Sequence, residues 1–137
     1  VRLLVPAAVL LAVAGCSGGG GGTPPAPSPD AAGIGAAVEA GLLARDDVAA
    51  VEFRYKDTAT DPASSTVDVT AEPGADPRAI HEEAVRLVWQ SALQPLNSIG
   101  VNVVDPQDPV RGLSEVVDLL DPADTMPLEE RYGSRPG

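Results

Sequence analysis

Hydrophobic and polar positions change period several times along this chain, and the changes mark its elements. Residues 3–14, LLVPAAVLLAVA, are apolar almost throughout, yet the run falls short of the roughly 20 residues that a membrane-spanning helix needs. Residues 17–30, SGGGGGTPPAPSPD, show no period at all. From Ala31 onward Ile34, Ala37, Val38, Gly41 and Leu42 recur at helical spacing until Arg45-Asp46-Asp47, which predicts an amphipathic helix. Val51, Phe53 and Tyr55 then alternate with Glu52, Arg54 and Lys56, the two-residue period of a strand with one buried face. Asp57 to Ser65 reads as a loop, and Val67, Val69 and Ala71 mark a second strand, so the pair forms a hairpin with a long loop.

The next helix is the best signalled. Asp76 stands at the N-cap and Pro77 at the first helical position, where a missing N–H does no harm. Ile80, Ala84, Leu87, Val88 and Ser91 form its apolar stripe, widened by Val85, Trp89 and Ala92; Pro95 is expected to end it. Ile99 to Val104 is a third strand, closed by Asp105-Pro106. Leu113, Val116, Val117 and Leu120 fit a short helix or an added edge strand equally, and residues 128–132 fit one further helical turn before a frayed RYGSRPG end. The order helix, strand, strand, helix, strand predicts an α+β fold. It is a small αββαβ two-layer sandwich, with helices on one face of a three-stranded sheet and a partly irregular C-terminal extension. The expected organisation is a leader at 1–15, a Cys16-containing tether at 16–30, an α+β domain at 31–105 and the extension at 106–137.

Composition narrows the partners. The 137-residue chain carries nine basic and 20 acidic residues, a formal net charge of −11, and loss of the leader would remove Arg2 as well. A polyanion is repelled by such a surface, and no cluster of Lys and Arg offers a phosphate-binding patch, so nucleic acid is excluded as a partner. Adhesion to anionic lipid by charge is weak on the same ground. Membrane attachment therefore has to be apolar.

Cys16 is the single cysteine. It follows one basic residue, an apolar core and the small residues of Val13-Ala14-Gly15, and it precedes five glycines. The segment Val13-Ala14-Gly15-Cys16 resembles the lipobox of bacterial lipoproteins. That resemblance implies signal-peptidase recognition of Val13, Ala14 and Gly15, diacylglyceryl transfer to the Cys16 thiolate, and cleavage before Cys16. The mature N-terminus would then carry acyl chains on the outer, extracytoplasmic face of the cell membrane. Two or more chains meet the requirement for stable anchoring, and the tether holds the domain away from the bilayer. A chain with no second cysteine forms no internal disulfide.

Candidate chemistry is sparse. His81 is the only histidine, so no His cluster binds zinc and no Ser/His/Asp system exists without it; its position in the strong helix reads as solvent-facing. Asp105, Asp108, Asp118, Asp121 and Asp124 invite a calcium reading, but the spacing lacks the glycine and alternating ligands of an EF-hand loop. Turn formation and helix capping account for them. Trp89 reads as core, and Gly18 to Gly22 lack the Lys-Ser/Thr pair of a phosphate loop. No catalytic, cofactor or metal site is expected.

Residues 31–105 resemble small actinobacterial lipoproteins. Their element order is also similar to the BON domain, an αββαβ module whose resemblance implies phospholipid contact, although TVDVTAEP lacks the glycine typical of its second strand. The expected function is a membrane-anchored, non-enzymatic module that binds an envelope protein or supports envelope assembly. A BON-like lipid-contacting module and an accessory subunit of a transporter or cell-wall enzyme are the alternatives.

Overall fold

A computed structural model describes residues 30–137. Helix α1 spans Ala31–Leu43, strands β1 and β2 span Val48–Lys56 and Ser64–Ala71, and α2 spans Pro77–Trp89. Strand β3 covers Ser98–Val104, a short 3-10 turn covers Pro109–Arg111, β4 covers Leu113–Asp118, and α3 covers Pro122–Tyr132. The strands lie in the order β1-β2-β3-β4. The two outer pairings are antiparallel and the central β2–β3 pairing is parallel, as expected when α2 forms the crossover between them. The helices pack against the sheet, and the fold is α+β in two layers.

Each element forms for local reasons. The Asp30 carboxylate accepts from Ala32 N at 3.1 Å, and Asp76 accepts from Arg78 N at 3.0 Å ahead of Pro77, so each cap satisfies a donor that the first turn leaves free. Alternation in β2 and β3 sends Val67, Val69 and Ala71, and Ile99, Val101 and Val103, into the core. They meet Val38 and Leu42 of α1 and Ile80, Ala84, Val85 and Val88 of α2. Each fully buried side chain of this size stabilises the fold by about 1.5–3 kcal/mol before entropy is counted.

Four features differ from the sequence reading. The sheet has four strands, because residues 113–118 pair antiparallel with β3 through Val103↔Leu113, Val101↔Glu115 and Ile99↔Val117. Sheet and core layer thus continue past residue 105. Helix α2 ends at Trp89, before Pro95, because the following loop drops Leu93 and Leu96 into the core. Residues 122–132 make a full helix, begun by Asp121 accepting from Ala123 N at 2.9 Å. Finally, the end of the chain is held down where fraying was expected. Trp89 Nε1 donates to Gly133 O at 2.9 Å, Gln94 Nε2 donates to Pro136 O at 3.0 Å, and Arg135 donates to Leu93 O.

Candidate functional site

The described residues begin at Asp30, so Val13, Ala14, Gly15, Cys16 and the glycine run lie outside them. What the structure adds is a domain with two contrasting sheet faces and two unequal edges.

The helix-facing side of β4 carries an acid where the pattern calls for an apolar residue. Glu115 points inward between Leu113 and Val117 and receives both terminal nitrogens of Arg78, at 2.9 and 3.0 Å. These two bonds hold the Glu115 carboxyl below the usual carboxylate range, against a smaller opposing effect of burial. His81 Nε2 lies 3.5 Å from Glu115 Oε2 without a hydrogen bond. Its residue is only 5% exposed, which corrects the solvent-facing expectation: the fourth strand covers the helix face that a three-stranded sheet would leave open. Burial pushes the imidazole below its usual range, and the nearby Glu115 offsets part of that shift.

The sign of the consequence follows. Because folding lowers the His81 pKa, the unfolded chain takes up the proton first as pH falls. His81 therefore contributes full stability above its unfolded pKa of about 6.5 and loses it progressively below that value. The depressed Asp and Glu groups respond only at lower pH. We expect the urea midpoint to fall between about pH 7.5 and about pH 5.5, and the fall to flatten in His81→Gln. An equal fall in both proteins would show that His81 does not govern this window.

On the opposite, solvent face a polar row crosses all four strands. Arg54 donates to Asp68, Asn102 Nδ2 donates to Asp68 Oδ1 at 2.6 Å, and Ser114 Oγ donates to Asn102 Oδ1. The row joins neighbouring strands with satisfied partners, the usual composition of a wet sheet face. Four of the five aspartates bond backbone amides at turns and caps, whereas Asp108, ahead of the 3-10 turn, makes no side-chain cap bond. Asp121 caps α3, Asp118 accepts from Leu120 N, Asp105 accepts from Gln107 N, and Asp124 accepts from Asp118 N. Among the described residues no three His, Cys, Asp or Glu side chains stand close enough to hold a metal ion, and no helix is long and apolar enough to cross a membrane.

The edges differ. At β1, Glu39 of α1 accepts from Phe53 N at 2.8 Å and so occupies an outward-facing amide. At β4, Leu119 N donates to Asn97 O, so by antiparallel alternation Ser114, Val116 and Asp118 turn their amides away from β3. Asp124 takes the last of these at 2.9 Å. A groove of about 360 Å³ runs beside this edge, between β4 and α3. No protein-family model, curated protein or solved structure matches the chain.

Proposed function

We propose that this chain is a lipid-anchored, extracytoplasmic, non-enzymatic binding module of a bacterial envelope. The carrying observation is the run of apolar core, Val13-Ala14-Gly15-Cys16 and Gly/Pro-rich tether. That run supplies, in order, an export signal, an attachment thiol and a spacer for the domain beyond it. The non-enzymatic part is supported by His81, the single histidine, which is buried against Glu115 and Arg78 and makes no hydrogen bond to a hydroxyl. A general base needs a reacting proton within reach.

Intact mass and membrane partitioning of the native protein beside Cys16→Ala test the proposal. The expected native mass corresponds to cleavage before Cys16 plus acyl chains, in the membrane fraction. The variant should lack the acyl mass and be shed or held as precursor. A native protein with an unmodified Cys16 would overturn the anchor.

A further inference from the structure

We infer that the free edge of β4, with the groove between β4 and α3, binds an extended peptide segment of a partner protein in which apolar residues alternate with Lys or Arg. The inference rests on the binding-module reading above, though not on the anchor. Strand addition requires unpaired backbone groups at a sheet edge and a place for alternate side chains. Both are present. Ser114 and Val116 turn their amides outward, as the Leu119–Asn97 bond dictates. The groove beside them is lined by Val117, Ala123, Pro127 and Leu128, with the carboxylates of Glu115 and Asp124 among them. Val116, which also borders the groove, is 69% exposed, and Leu120 and Met126, in the segments that follow β4 and form α3, are exposed as well. An apolar rim of this kind beside an open strand edge marks an interaction surface.

Charge selects the occupant. Asp118, Asp121 and Asp124 sit at the end of the groove, and none has a basic partner among the described residues. Their hydrogen bonds go to backbone amides, which leaves their charges uncompensated. A second copy of this acidic chain brings more negative charge to the same place, whereas a basic segment is drawn to it.

Geometry fixes which residues of the partner do what. In an antiparallel addition, partner residues facing Ser114 and Val116 exchange hydrogen bonds with them and carry side chains on the open sheet face, beside Asp118. The intervening residues turn their amides away and their side chains into the groove. Lys or Arg therefore belongs at the hydrogen-bonded positions and the apolar residues at the others.

The test uses the full chain in detergent micelles and two capped synthetic peptides that alternate valine with lysine. One is N-methylated at its valines, the other at its lysines. The valine-methylated peptide should bind and protect the Ser114 and Val116 amides from hydrogen exchange; the lysine-methylated peptide should not bind. Val116→Pro, which removes one pairing amide at an edge position that tolerates proline, should weaken the first peptide about tenfold. Val116→Lys, which keeps the amide but adds a like charge for the peptide, should weaken it as well. Equal binding of both peptides, or binding without protection of these two amides, would overturn the strand-addition geometry. Protection that rises with protein concentration alone would assign the edge to a second copy and overturn the basic partner. An unmodified Cys16 alongside retained peptide binding would remove the anchor and leave this inference standing, and the reverse pair of results would do the opposite.

Discussion

Gly35→Leu is expected to destabilise the domain by about 3 kcal/mol, the upper range for overpacking a closed core. Gly35 is buried on the face of α1 that meets β1. A Cβ at this position would stand 2.5 Å from Phe53 Cδ1 and 3.1 Å from Phe53 Cε1, closer than carbon atoms approach. The Phe53 backbone cannot give way, because its amide donates to Glu39 and its strand position pairs with Val67. A leucine therefore has to push the ring off its place or lift α1 from the sheet, which uncovers Val38 and Leu42. Gly35→Ala is the graded control, since it brings the same Cβ contact without the further atoms of leucine and gains about 1 kcal/mol in helix propensity. Urea unfolding of the three proteins checks the order, with Leu least stable and Ala between Leu and the native protein. A native-like midpoint for Gly35→Leu would mean that α1 does not seat on Phe53 as described.

The second large effect belongs to Trp89. Trp89→Ala should cost about 3–5 kcal/mol, the usual range for removing a buried aromatic. The indole closes the end of α2 and also donates to Gly133 O, so the substitution removes core packing and releases the chain end together. Trp89→Phe separates the two roles. It keeps a ring in place and loses only the hydrogen bond, at about 1 kcal/mol. In that variant trypsin should cut after Arg131 faster than in the native protein, while the urea midpoint falls far less than in Trp89→Ala. Unchanged cleavage would show that Gln94 and Arg135 hold the tail without the indole.

The elements that were legible in the sequence share one property: their pattern is decided within a few residues. Strand β1 from Val51 onward and its partner β2 alternate, and Asp76-Pro77 announces α2 through a cap that involves only its own first turn. Strand β4 was ambiguous because Glu115 occupies an inward position, and only Arg78, on a different element, makes an acid acceptable there. His81 was misplaced for the same reason: its burial depends on β4 lying across α2. The tail residues offered no signal, since Gly133 and Pro136 are held through backbone carbonyls by side chains about 40 positions away and any residue has a carbonyl. The β4–α3 groove needs a helix folded beside a strand edge, so no single segment of sequence encodes it.

The contact between Glu39 and Phe53 has a further consequence for how many molecules can join. Growth of a continuous sheet through many subunits requires two receptive edges on each, one to accept and one to offer. A strand arriving at β1 must first displace a carboxylate already bonded to the backbone, while one arriving at β4 finds Ser114 and Val116 free. An addition at β4 therefore meets no equally open edge at β1, so domains joined through β4 form discrete pairs and do not propagate into a fibre.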